Sequence, residues 1–169
     1  KLPKEDQKPK LYKWFNTNRL DKTVVIHCFA GYGRDNQRSF SKEYSEKLIN
    51  DIIKLGYSVI RLGHPNEPLF SDDFYYNKYC DLRNLSFIEQ IQLTLGTSMY
   101  IGSDTGFSLC VAAYNDIPQI NLICQWNWNH YQNPLSLAPN NDKSVNLWDK
   151  EKCDNIPREK VIETLKTIL

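Results

Sequence analysis

Hydrophobic positions along the chain switch between two periods. Residues 23–29 (TVVIHCF) form an apolar, β-branched run of the length a buried strand needs, and a polar loop over 30–39 follows it. From 41 to 55 the spacing turns helical, with Tyr44, Leu48, Ile52 and Leu55 on one stripe and Gly56 as the stop. Residues 57–62 (YSVIRL) read as a second strand, 63–68 as a loop and 79–82 as a short strand. Ser86-Phe87-Ile88-Glu89 has the form of a capping box, opening a helix that carries Ile88, Ile91 and Leu95 inward. Residues 98–101 predict a strand, and 102–106 a turn into a helix through Tyr114 with Asn115 as its left-handed cap. Pro118 leads into a strand over 119–123, and a long Asn- and Trp-rich loop over 124–143 precedes a short strand at 145–148. Pro157 suits the first position of a closing helix lined by Val161, Leu165 and Ile168.

Strand alternating with helix in this way predicts an α/β fold, a Rossmann-like three-layer sandwich whose mostly parallel sheet is covered on both faces. Residues 1–22 are polar, interrupted by the patch 11–15, and read as a linker or docking segment ahead of one domain over 23–169. In such sheets ligands bind beyond the carboxyl ends of the strands, so the loops to inspect are 30–40, 63–68, 102–108 and 124–143.

Composition narrows the class. With 41% apolar and 24% charged residues, the 169-residue chain has enough core material to exclude collagen-like, coiled-coil and disordered readings. No run of eighteen apolar residues is present, which excludes a membrane-spanning helix. A formal charge of +1 gives no reason to expect nucleic acid as a partner. The first 24 residues hold seven Lys/Arg against three Asp/Glu, a basic head that suits a solvated lead-in or contact with a membrane surface. Five cysteines without CxxC spacing point to a reducing, cytoplasmic setting rather than to a disulfide framework or a zinc site. The chain opens on Lys1 rather than Met and carries no visible signal peptide, so it reads as a trimmed piece.

Four loops carry candidate chemistry. In the first, Gly31 and Gly33 let the backbone approach a ligand, while Arg34 and Arg38 offer forked donors matched to phosphate oxygens or else simply face water. Asn36 stands where a GxGxxG motif needs its third glycine, and no GK[ST] follows, so the dinucleotide fingerprint and the P-loop are both absent. In the second, Ser103, Asp104, Thr105 and Gly106 end a strand and open a helix, where free amides and the helix dipole suit an anion such as pyrophosphate. Asp104 serves equally well there as a plain N-cap. In the third, Glu67 follows the second strand, where a carboxylate can accept ribose hydroxyls, and His64 is a candidate base or an exposed loop histidine. The fourth alternates aromatics and amides (QWNWNHYQN, 125–133), suited to stacking on a base or sugar, to a satellite cluster under the loop or to a partner surface. Asp72-Asp73 falls in an ambiguous loop and reads as solvated, and no motif has metal-ligand or nucleophile spacing.

Read together, these segments resemble a known family. Gly102-Ser103-Asp104-Thr105-Gly106-Phe107-Ser108-Leu109-Cys110-Val111-Ala112-Ala113-Tyr114, followed by Ile117-Pro118, resembles the DTG-x-S-H-x-x-A-A turn and helix of the ADP-heptose:lipopolysaccharide heptosyltransferases. Asp81-Leu82 with Ser86-Phe87-Ile88-Glu89-Gln90-Ile91 is similar to the segment before that motif. Arg38-Ser39-Phe40-Ser41 resembles the basic-x-Trp-Pro start of the family's first helix, and Cys153-Asp154-Asn155-Ile156 with Val161 and Leu165 its closing segment. The resemblance implies the C-terminal, donor-binding half of a GT-B glycosyltransferase, in which Asp104, Thr105 and Gly106 face the donor pyrophosphate and sugar. Arg38 then takes the place of the phosphate-binding lysine and Glu67 that of the ribose-binding glutamate. Leu109 stands where the family has histidine, Arg38 replaces lysine, and the first loop lacks the family's Ser/Thr-rich phosphate grip. These departures imply a donor other than ADP-heptose. The expected activity is metal-independent transfer of a sugar from a nucleotide sugar to a glycan or glycolipid acceptor of the lipopolysaccharide type, with no cofactor. An N-terminal acceptor-binding domain, in the same or another chain, is expected to bring the catalytic base. The alternatives are a non-catalytic nucleotide-sugar-binding subunit and a sugar-nucleotide epimerase, which would draw on His64 or His130.

Overall fold

The computed structural model describes residues 14–30, 37–71, 77–114, 116–124 and 141–169. In chain order the elements are β1 (Thr23–His27), α1 (Lys42–Lys54), β2 (Ser58–Leu62), β3 (Tyr79–Asp81), α2 (Phe87–Leu95), β4 (Met99–Ser103), α3 (Gly106–Tyr114), β5 (Gln119–Cys124), β6 (Ser144–Asp149) and α4 (Arg158–Ile168). Single 3-10 turns precede β1 (Leu20–Lys22) and α4 (Cys153–Asn155). Among these residues no helix is long and apolar enough to cross a membrane.

All six strands pair in parallel, in the order β3-β2-β1-β4-β5-β6. β1 and β2 are buried along their whole length, because parallel strands are covered on both faces and must be apolar on both. On one face Val24, Ile26, Met99, Ile101 and Leu122 pack with Leu48 and Ile52 of α1 and Val161 and Leu165 of α4. On the other, Val25, Ile60, Leu62 and Tyr100 meet Ile91 of α2 and Phe107 and Val111 of α3. Trp14, 5% exposed, joins this second cluster, so the chain ahead of β1 already packs against the sheet.

The predicted elements are present, with four informative shifts. β1 ends at His27, while β4 extends two residues beyond expectation, drawing Gly102 and Ser103 into the sheet opposite His27 and Leu122. The capping box at Ser86 and Glu89 forms as read. Ile88, however, points outward and is 63% exposed. The inward stripe is Gln90, Ile91 and Thr94 instead, because the Gln90 amide bonds both Gly63 N and Gly63 O, at 2.9 and 3.1 Å. Pro157 sits one residue ahead of α4, as its N-cap. Asn115 and Asp72-Asp73 lie outside the described residues.

Candidate functional site at the β1/β4 switch

The strand order reverses direction between β1 and β4, and connections leaving those two strands diverge to opposite sides of the sheet. That divergence opens the crevice where sheets of this order take their ligands. Both candidate arginine and candidate helix terminus arrive there.

The loop leaving β1 is closed at its base by three hydrogen bonds. Ala30 N donates to Ser39 Oγ at 2.9 Å, Ser39 Oγ donates back to Ala30 O at 3.4 Å, and Phe40 N donates to Cys28 O at 2.8 Å. Arg38 stands beside that base and leans across to the turn after β4. Its Nη2 donates to Asp104 O at 2.5 Å, and its Nε lies 3.7 Å from Asp104 Oδ2. The Arg38 side chain as a whole remains about one-third exposed.

The β4 turn is tied from below, Asp104 N donating to Leu122 O at 3.2 Å. α3 starts at Gly106, and the Ser108 hydroxyl closes its first turn by donating to Thr105 O at 2.7 Å. The first amides of a helix have no partner within it, and this end carries about half a positive charge. Gly102 is required here: a Cβ would strike the ring and hydroxyl of Tyr100, whose side chain folds over it. Ser103 Oγ and His27 Nδ1 lie buried at the same edge without hydrogen-bond partners. His27 stacks on Phe107 at 5.0 Å and 9°, joining the end of β1 to the first turn of α3. Burial, with the Arg61 charge second, pushes its pKa down to about 4, so the ring is neutral. Arg38 and the turn 103–106 therefore meet at this edge, through Asp104.

Glu67 reaches the same edge but turns inward, and its side chain is 1% exposed. Its Oε1 accepts from His64 N at 2.8 Å and its Oε2 from Arg61 Nη2 at 3.3 Å. The carboxylate packs onto Gly63 so closely that only glycine fits, and Gly63 has φ +140°. Burial raises the Glu67 pKa to about 7. In this conformation it anchors the 63–67 loop and offers almost no surface to ribose hydroxyls.

Arg61, wholly buried, is the charge that sequence reasoning passed over. Its guanidinium lies 3.7 Å from the Phe70 ring centroid and 5.2 Å from that of Phe29, with Asp81 Oδ2 at 3.7 Å. Arg83 completes the network by donating to Asp81 Oδ1 at 2.8 Å and to Glu67 O at 2.6 Å. A lone arginine inside the run YSVIRL, followed by acidic residues in the next loop and strand, was the available signal. His64 is partly exposed, its Nδ1 accepting from Asn66 N at 3.2 Å. Arg34, His130 and the aromatic–amide stretch 125–133 lie outside the described residues. Among the described residues no three His, Cys, Asp or Glu converge as a metal site requires.

No protein-family model matches the sequence, and neither does any curated protein. Solved structures do match it in fold. E. coli ADP-heptose lps heptosyltransferase II superposes with a TM-score of 0.69 at 14% identity, over 99% of this chain and 52% of that one. E. coli heptosyltransferase WaaC with ADP gives a TM-score of 0.70 at 14% identity, over 94% of this chain and 48% of that one. UDP-GlcNAc 2-epimerase from Methanocaldococcus jannaschii gives 0.58 at 13% identity, over 96% of this chain and 43% of that one. The chain thus spans about half the length of the structures it resembles. Its architecture is heptosyltransferase-like, the Rossmann-like α/β fold found in GT-B glycosyltransferases.

Proposed function

We propose that this chain is the donor-binding, C-terminal half of a metal-independent GT-B glycosyltransferase, holding a nucleotide sugar by its diphosphate at the β1/β4 switch. The observation that carries the reading is the meeting of Arg38 with the N-terminus of α3 beside the buried, unpartnered hydroxyl of Ser103. Two protein elements contribute positive charge to one point, and a buried polar group there is left to be satisfied by a ligand. In the free protein the Asp104 carbonyl and carboxylate occupy Arg38. A bound diphosphate replaces them as the acceptor for the guanidinium fork, and also accepts from the Gly106 amide and from that of Thr105, which in the free protein donates to Ser108 Oγ at 3.3 Å. The Asp104 carboxylate, freed, turns to hydroxyls of the sugar, and Arg34 adds a second cation from the first loop. Glu67 contacts the ribose only once its loop opens away from Arg61.

In transfer, the bond from the anomeric carbon to the diphosphate oxygen breaks and a bond to the acceptor oxygen forms with inversion. Charge gathering on the leaving diphosphate is met by Arg38 and the helix terminus in the role a metal plays elsewhere. The acceptor's proton passes to a base supplied by the acceptor-binding half, which belongs to the same or another chain. The acceptor is a glycan or glycolipid. The fold likeness to WaaC with ADP and the five free cysteines, which suit a reducing cytoplasm, agree with this assignment.

Calorimetry with ADP, GDP, UDP and their sugars in EDTA tests the reading. Binding of a diphosphate without divalent metal is expected. Arg38→Ala is expected to weaken it by about ten- to a hundredfold, since a charged hydrogen-bond pair contributes about 1.5–3 kcal/mol. Binding that requires Mg²⁺ or Mn²⁺, or parent-like binding by Arg38→Ala, contradicts it. The likeness to an epimerase structure favours a second reading, sugar-nucleotide epimerisation. Conversion of a UDP-sugar to its epimer by this chain, with no acceptor present, would select it.

A further inference from the structure

We infer that the Cys153–Asn155 turn sets the position of Arg38, with Asp154 as the positioning residue; the inference rests on the reading of Arg38 as a phosphate contact. Arg38 lies in a stretch, 37–41, that is neither helix nor strand. What fixes that stretch comes from far along the chain. Cys153 N donates to Gln37 O at 2.9 Å, and the single Cys153 thiol proton is shared between Leu122 O at 3.2 Å and Arg38 O at 3.4 Å. Ser41 N donates to Asp154 Oδ1 at 2.8 Å. The backbone before, at and after Arg38 is thus bonded to one three-residue turn about 115 positions later. The Tyr44 hydroxyl extends the grip into α1 by donating to Ile156 O at 2.8 Å.

The chemistry of the turn suits a fixed clamp. A hydrogen bond with Cys124, and burial after it, push the Cys153 pKa far above the thiol range, so Cys153 keeps its proton and remains a donor. Asp154 accepts at the N-cap of α1, where negative charge is also favoured by the helix dipole. Arg38 is consequently held between this clamp on one flank and the Asp104 turn on the other. A long side chain whose backbone is fixed in advance loses less freedom on meeting a phosphate, which appears as affinity rather than as stability of the free protein.

A double-mutant cycle on the 169-residue chain tests this, with calorimetry against whichever of ADP, GDP and UDP binds the parent most tightly. Asp154→Ala is expected to weaken that diphosphate about two- to tenfold, the equivalent of ordering one side chain. Asp154→Asn keeps an acceptor oxygen for Ser41 N and is expected to recover most of the loss. In the Arg38→Ala background, Asp154→Ala is expected to change affinity no further. Equal losses in both backgrounds, or parent-like binding by Asp154→Ala, would overturn the positioning role while leaving the phosphate site intact. Parent-like binding by Arg38→Ala, or no diphosphate binding by the parent, would instead overturn the site and this inference with it. Thermal melting accompanies each variant; if Asp154→Ala does not fold, Asp154→Ser carries the same cycle.

Discussion

Burial disfavours the charged forms of both Glu67 and His27, moving their pKa values in opposite directions, and the two leave opposite marks on stability. Glu67 has its folded pKa raised to about 7, so its contribution is full below the unfolded carboxylate range and disappears as pH rises through 7. His27 has its folded pKa lowered to about 4; its contribution is full above the unfolded histidine value and disappears as pH falls toward 4. In the parent the trends offset each other between pH 5 and 7. Glu67→Gln removes one of them. Relative to the parent, the variant is expected to lose stability on acidification, the difference between pH 8 and pH 5 being on the order of 2 kcal/mol. Urea unfolding of both proteins at the two pH values measures it. A parent–variant difference that does not change with pH would mean that Glu67 is ionised throughout, as Arg61 at 3.3 Å favours.

At the scale of elements, most of the fold was legible because each helix and strand carries its own signal. The capping box at Ser86, the stripe of α1 and the β-branched run of β1 depend on near neighbours in sequence, and all three appear in the structure. What failed had a long-range cause. Ile88 has the apolar character of an inward position, yet Gln90 takes that place because Gly63, 27 residues earlier, supplies both of its partners. β4 runs past Ile101 because Gly102 and Ser103 find parallel partners in β1 and β5, which propensity alone does not disclose. Gly102 in turn is fixed by Tyr100 two residues back on the same face. Gly102→Ala is expected to cost about 3 kcal/mol, since a buried tyrosine ring has nowhere to retreat. Chemical denaturation reads this directly, and a loss under 1 kcal/mol would show that the β4 turn is more plastic than described.

For the molecule as a whole, the strand order is what turns separate loops into one site. The sequence placed Arg38 after the first strand and Ser103, Asp104, Thr105 and Gly106 after the fourth, but only the order β3-β2-β1-β4-β5-β6 makes those strands neighbours at the switch point. Glu67 was legible as a position and not as an environment, because its inward turn depends on Arg61, a charge hidden within a strand. The clamp on Arg38 was not legible at all, since nothing local in Cys153 or Asp154 names a partner in 37–41. The same architecture serves transferases and an epimerase, so the fold alone does not assign an activity. Amide hydrogen exchange of the chain, with and without saturating nucleoside diphosphate in EDTA, tests the proposed diphosphate site most directly. Slowed exchange is predicted at 37–41 and at 104–109, the segments proposed to close on the diphosphate, with α4 and the β6 edge unchanged. Unaltered exchange in both segments while the nucleotide is bound, with protection appearing elsewhere, would contradict the account.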